Sequence, residues 1–219
     1  MQCKNGGWAA FDVDNDFEVV NKIPFSDHGA CLDPATPDIT GRMLELLGQL
    51  GFNSNYKPVQ KAIKFIENSQ EKDGSWWARW GVNYLYGTWC VLKGLKSIGY
   101  PMDSVIVRRA VSWLKSVQKE DGGFGESCDS YKLKKYLPLE KSTASQTSWA
   151  LMGLLAAERD ISPQAHKAAA WLAQTQKQDG TWDEPYHTGT GFPGHFYIRY
   201  HGYRHYFPVL ALGQYRNKL

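Results

Sequence analysis

Apolar residues recur three times along the chain at i, i+3, i+4 and i+7. The sets are Val59, Ala62, Ile63, Ile66, then Val107, Ala110, Val111, Leu114, then Ala165, Ala168, Ala169, Leu172. That spacing places each set on one face of a helix. Pro58 and Pro163 fall near two of the starts, where a missing N–H costs nothing, and Ser162 precedes Pro163 as a cap. More evenly apolar helical segments follow at 88–99, 147–158 and 207–217, with another ahead of the first set at 40–51. No period-two alternation interrupts them, so the pattern predicts an all-α chain of helical hairpins.

The turns between the helices repeat as well. Residues 70–76 (QEKDGSW), 118–124 (QKEDGGF) and 176–182 (QKQDGTW) read Gln-x-x-Asp-Gly-x-aromatic, and 2–8 (QCKNGGW) is a fourth copy with Asn5 for Asp. Five residues before three of the Gln stand Phe65, Trp113 and Trp171, and eight before stand Ala62, Ala110 and Ala168. The Asp-Gly pair turns the chain, since Gly accepts positive φ and Asp bonds its own backbone. Gln70, Gln118 and Gln176, with Trp8, Trp76, Phe124 and Trp182, read as structural repeat positions that tie neighbouring helix ends. Stacked hairpins form an open solenoid or a closed α/α barrel (toroid). Small residues eight before each Gln suit a barrel's inner ring. No helix precedes Gln2, so residues 1–219 read as one domain that begins inside a repeat, an incomplete barrel with its upstream part missing.

Composition narrows the function. Apolar residues make up 42%, and 25 basic minus 22 acidic residues leave +3. That charge is too weak and too dispersed for a nucleic-acid face. The longest apolar run, 149–157, cannot span a bilayer, and no secretory segment follows Met1. Cys3, Cys31, Cys90 and Cys128 show no paired spacing and read as free thiols. Residues 73–90 (DGSWWARWGVNYLYGTWC) hold four Trp and two Tyr. Such density belongs to a packed core or to a pocket wall that needs π faces.

The repeat resembles the QW motif of squalene–hopene and oxidosqualene cyclases. Residues 78–88 (ARWGVNYLYGT), 142–152 (STASQTSWALM), 6–15 (GGWAAFDVDN) and 188–213 (TGTGFPGHFYIRYHGYRHYFPVLALG) resemble bacterial squalene–hopene cyclases over essentially the whole chain. The match is to the C-terminal part of such an enzyme. The resemblance implies a cofactor-free, metal-free cyclisation of squalene through carbocations to hopene or hopanol. That chemistry needs a protonated carboxylic acid and a dry cavity whose aromatic faces stabilise cations. It also implies a monotopic protein at the cytoplasmic side of a bacterial membrane, a homodimer in some members, with no nucleic-acid partner.

Carried over residue by residue, the resemblance assigns Trp80 and Tyr86 to the cavity near the acid, and Phe192, Phe196, Tyr200 and Tyr203 to later cations. If residues 192–203 are helical, those four share one face; an ordinary core stripe has the same spacing. Phe11 stands where a cavity Tyr is common and lacks the hydroxyl. Arg42 replaces a His that supports the acid, and Ser26 replaces a nearby Cys. Arg42 can donate to a carboxylate but cannot relay protons; a surface or inter-repeat ion pair is the other reading. Asp12 and Asp14 do not belong to the D-x-D-D acid motif, because their frame is a later block. They read as turn residues, so the chain contains no catalytic acid and alone is expected to be inactive. Two other functions stay open: a non-catalytic truncated or split half needing a partner chain, and a prenyltransferase-like zinc enzyme, against which no metal-ligand spacing is present.

Overall fold

The computed structural model describes residues 1–23 and 31–219. Its helices are α1 (Pro37–Gln49), α2 (Lys57–Asn68), α3 (Tyr84–Ser97), α4 (Val105–Ser116), α5 (Asp129–Leu133), α6 (Ala144–Ala157), α7 (Pro163–Thr175) and α8 (Tyr203–Arg216). A 3-10 turn spans Glu18–Lys22. The expected starts hold: proline occupies the first turn of α2 and α7, and Ser162 Oγ accepts from Ala165 N.

The long helices form two layers. α1, α3, α6 and α8 pack side by side in that order, while α2, α4 and α7 cover one side of the row. The two layers differ in sequence for a physical reason. All fourteen residues of α6 are buried, so it is apolar all round, whereas α2 buries only Val59, Ala62 and Ile66 and keeps a polar face in water. α2, α4 and α7 are therefore the outer helices. This corrects the reading of the small residues. Ala62, Ala110 and Ala168 lie on the outer helices, turned inward and buried, not on an inner ring. Close approach within the inner row falls to glycines: a Cβ on Gly41 would stand 2.5 Å from the Cys90 carbonyl oxygen.

A second correction concerns residues 189–198. They form an antiparallel hairpin, β1 (Gly189–Phe192) and β2 (Phe196–Ile198), in an otherwise helical chain. Strands of four and three residues are too short to show an alternation. The inner row ends at α1 and α8, and both end helices expose apolar side chains: Leu46 on α1, and Val209 and Leu210 on α8.

Candidate functional site: an aromatic wall at the inner-helix N-termini

The repeat turns set the frame. Gly6, Gly74, Gly122 and Gly180 all take positive φ. The preceding Asn5, Asp73, Asp121 or Asp179 accepts a hydrogen bond from the backbone two residues on. The Gln side chain makes the tie between repeats. Gln2 donates to the carbonyls of Gly6 and Pro58, Gln70 to Gly74 and Ile106, and Gln118 to Gly122 and Gln164. Each reaches its own turn and the first turn of the next outer helix. Gln176 bonds the Gly180 carbonyl alone among the described residues. Trp76 and Trp182 complete the frame by donating Nε1 to the Ile66 and Leu172 carbonyls of the helix before them.

After each turn the chain enters an inner helix, whose buried N-terminus needs acceptors. Glu126 supplies them to α3, accepting from Asn83, Tyr84 and Leu85 N at 3.0–3.1 Å. Glu184 does the same for α6 through Ser145 N and Oγ. Both stand eight residues after a repeat Gln, a signal the motif alone did not expose. At the third equivalent position, eight after Gln70, is Ala78, and α1 instead carries its own Asp38. Asp38 is buried, accepts from Thr36 Oγ1 at 2.5 Å and from Trp80 N at 3.0 Å, and so ties α1 to the segment before α3. Burial raises the carboxyl pKa of Asp38, and raises that of Glu126 to about 7.

The aromatic residues singled out in the sequence do not lie on one helix. Phe192 lies in β1, Phe196 in β2, Tyr200 in the turn beyond and Tyr203 at the start of α8. The single helical face anticipated for them is replaced by a hairpin and a helix start. Phe192 and Phe196 meet across the hairpin at 5.1 Å, and Tyr200 stacks on Tyr203 at 4.7 Å. Tyr203 meets Trp149 at 6.0 Å, and Tyr86 meets Trp149 at 4.9 Å and Trp89 at 5.5 Å, all edge to face. Phe207 contacts both tryptophans at 5.5 Å. Sequence reasoning missed Trp89, Trp149 and Phe207 as the layer that holds Tyr86 and Tyr203. Burial keeps the Tyr86 phenol well above its ordinary pKa, hence neutral.

Trp80 joins the hairpin to the row. Its carbonyl accepts from Thr190 N at 3.2 Å, and its ring meets Phe11 at 5.8 Å. Phe11 is 72% exposed. Arg42 pairs with Glu45 at 2.5 Å and lies 5.1 Å over the Trp89 ring. The ion pair is within α1, not between repeats. Ser26 lies outside the described residues. Asp14 accepts from Lys4 N across ten residues of sequence, while Asp12 accepts from the Asn15 side-chain amide. Among the described residues no three His, Cys, Asp or Glu side chains converge, and no helix is long and apolar enough to cross a membrane.

The squalene-hopene cyclase C-terminal domain family matches residues 1–217. The squalene–hopene cyclase of Zymomonas mobilis is 49% identical over 99% of this chain, and that of Alicyclobacillus acidocaldarius 47% identical over 100%. The chain spans about a third of these curated relatives, 33% and 35% of their own lengths. Among solved structures, a type II terpene cyclase from Scytonema in complex with merosterolic acid A has a TM-score of 0.65 at 18% identity, covering 99% of this chain and 63% of that one. An ent-copalyl diphosphate synthase from Streptomyces platensis reaches 0.57 at 19% identity, over 82% of this chain and 34% of that one. At such identities these two speak for the fold, a partial α/α toroid.

Proposed function

This chain belongs to the squalene–hopene cyclase C-terminal domain family, and on that premise we propose that it is the C-terminal part of a triterpene cyclase that converts squalene to hopene or hopanol. The observation that carries the reading is the edge-to-face network in which Trp149 holds both Tyr86 and Tyr203. It fixes neutral, electron-rich rings on the inner row. In the proposed reaction an acid protonates a terminal double bond, the π electrons of successive double bonds close rings, and the last cation loses a proton or takes up water. Each passing cation gains about 2 kcal/mol from a desolvated aromatic face. A neutral Tyr86 phenol offers no phenolate to trap it.

Trp80, Tyr86, Phe192, Phe196, Tyr200, Tyr203 and Phe11 are the proposed wall. Arg42, held by Glu45 and the Trp89 face, donates to the acid and favours its ionised form after proton transfer. Arg42 keeps its own proton, so the acid regains one from elsewhere. The acid itself comes from an upstream segment, and the chain alone is inactive. The exposed apolar side chains of α1 and α8 favour the related reading of a half that needs a partner. Attachment to the cytoplasmic face of a bacterial membrane as a monotopic homodimer belongs to the same proposal.

The test is a chimera joining the upstream two-thirds of the Zymomonas relative to residues 1–219, assayed with squalene alongside the chain alone. Pentacyclic product from the chimera and none from the chain supports the proposal. Product from the isolated chain places the acid within it. A folded chimera that leaves squalene untouched overturns the cyclase reading.

A further inference from the structure

Three of the four repeat turns rest on an outer helix in the same way. A Cβ on Gly6 would stand 2.4 Å from the Lys61 carbonyl oxygen, one on Gly74 2.7 Å from that of Arg109, and one on Gly122 2.9 Å from that of Lys167. Each of these carbonyls lies three residues after the one that accepts from the repeat Gln, on Pro58, Ile106 or Gln164. A turn thus meets its helix at two carbonyls almost one helical turn apart, with an amide on the first and a bare glycine on the second. Lys61, Arg109 and Lys167 are all basic. Arg109 shows what such a side chain does there: its guanidinium donates to Gln70 Oε1 and to the Glu71 and Lys72 carbonyls, at 2.8–3.0 Å.

The fourth turn has no such helix among the described residues. Gly180 takes the same positive φ, yet the nearest atom to a Cβ there would be Gln176 Nε2 of its own turn, at 3.9 Å. Gly6, Gly74 and Gly122 are buried, whereas residues 176–180 are all exposed. A side-chain amide has two N–H donors. Gln2, Gln70 and Gln118 each bond two carbonyls, and Gln176 bonds one among the described residues. The turn is nevertheless fully formed. Gly180 N donates to the Lys177 carbonyl at 2.9 Å and Lys177 N to that of Thr181 at 2.8 Å, as Gly74 N and Glu71 N do to Glu71 and Ser75. A preformed surface of this kind binds with little ordering cost. The same repeat ends in α8, where Tyr206, Val209 and Leu210 share one stripe at i, i+3 and i+4 and are 46–62% exposed.

We propose that residues 176–180 are the docking site of a further outer helix, supplied by polypeptide N-terminal to residues 1–219. The Gln176 amide donates to a first-turn carbonyl of that helix, and Gly180 lies against the carbonyl three residues on. A Lys or Arg at that second position donates back to Gln176 Oε1 and to the turn carbonyls. The length is present in the relatives, of which this chain spans 33–35% and matches the C-terminal domain. A second copy of residues 1–219 does not fit, because α2, α4 and α7 already give these carbonyls to their own Gln2, Gln70 and Gln118. The inference rests on the reading of a part that needs its upstream partner, and names the turn and the helix face by which the two are held. It uses neither the acid nor the aromatic wall.

The experiment is hydrogen–deuterium exchange read by mass spectrometry, on the 219-residue chain and on the chimera with the Zymomonas upstream part. Residues 118–124 are the internal standard in both. In the isolated chain, residues 176–182 are expected to exchange at least tenfold faster than the standard, and in the chimera to slow at least tenfold. Gln176→Ala removes most of that slowing and leaves 118–124 unchanged. Asn accepts left-handed backbone, so it tests bulk at the glycine. Gly180→Asn is tolerated in the isolated chain, where Gly122→Asn, with its helix present, lowers Tm at least threefold more; in the chimera Gly180→Asn abolishes the protection. Where the single-chain chimera does not fold, the two parts co-expressed give the same comparison. Unchanged exchange at 176–182 in the folded chimera, or equal Tm losses from the two Asn variants in the isolated chain, overturns the proposal. Protection of the isolated chain that grows with its concentration assigns the site to a second copy and overturns it too. Squalene conversion is scored separately. A protected but inactive chimera sinks the cyclase reading and keeps the docked helix, and an active chimera with unprotected 176–182 does the reverse.

Discussion

Gln118 Nε2 donates to the carbonyl oxygen of Gln164 across 46 residues of sequence, at 2.8 Å. Gln2 and Gln70 make the same bond to Pro58 and Ile106, at 2.8 Å each. One amide thus joins the turn of each repeat to the first turn of the next outer helix, whose early carbonyls lie at the layer's edge. Gln176 stands at the same place in its own repeat and, among the described residues, makes only the local bond, to Gly180.

This difference predicts an asymmetry. Gln118→Ala removes two hydrogen bonds at 2.8 Å and strands a carbonyl in each of two elements. The expected loss is about 1–3 kcal/mol in urea unfolding. Gln176→Ala loses one exposed bond and costs about 0.5 kcal/mol or less. Equal losses would remove the inter-repeat tie as the purpose of the repeat Gln.

Glu126 gives a pH dependence of definite sign. Burial raises its carboxyl from 4.5 to about 7 in the fold. Between those values the folded state holds more proton than the unfolded chain, so stability falls as pH rises through the window and levels off above it. At about 1.4 kcal/mol per unit the change is on the order of 3 kcal/mol. Glu126→Gln should flatten that slope. It should also cost about 1–3 kcal/mol at pH 4.5, because the amide turns an N–H toward one of the three backbone donors of α3. An unchanged slope in denaturant titrations across pH would assign the titration to another group.

Gly41 separates close approach from backbone freedom. Its Cβ would stand 2.5 Å from the Cys90 carbonyl oxygen and 2.6 Å from the carbonyl carbon, so Gly41→Ala should force α1 from α3 at about 3 kcal/mol. Gly51 has φ +86° and open space around it, so Gly51→Ala should cost about 1 kcal/mol from the backbone alone. Thermal unfolding of the two variants measures the contrast.

The aromatic wall predicts a split between rate and stability in the chimera. Trp80→Leu removes a π face, and a loss of about 2 kcal/mol corresponds to roughly 30-fold slower squalene conversion. Trp149→Leu removes the fully buried ring beneath Tyr86 and Tyr203. It should slow conversion and also cost about 3 kcal/mol or more of stability. If Trp80→Leu leaves the rate intact, Trp80 is no part of the wall.

The sequence by itself determined the unit. Helical spacing in 59–66, 107–114 and 165–172, with Asp-Gly after each Gln, settled where helices run and where they turn. Those are local matters of amphipathic period and of φ at one glycine. Specific blocks such as 78–88 also carried the family. What only the tertiary structure decided were contacts between distant residues. The −8 alanines proved to be outer because layer identity depends on which face meets a neighbour, and an alanine face fits either side. Phe192, Phe196 and Tyr200 left the helix because a hairpin of four- and three-residue strands is held by Thr190, Trp80 and Thr188, not by its own propensity. The caps from Glu126 and Glu184 are equally illegible in one dimension. A buried charge is read through the groups around it, and those arrive from elsewhere in the chain.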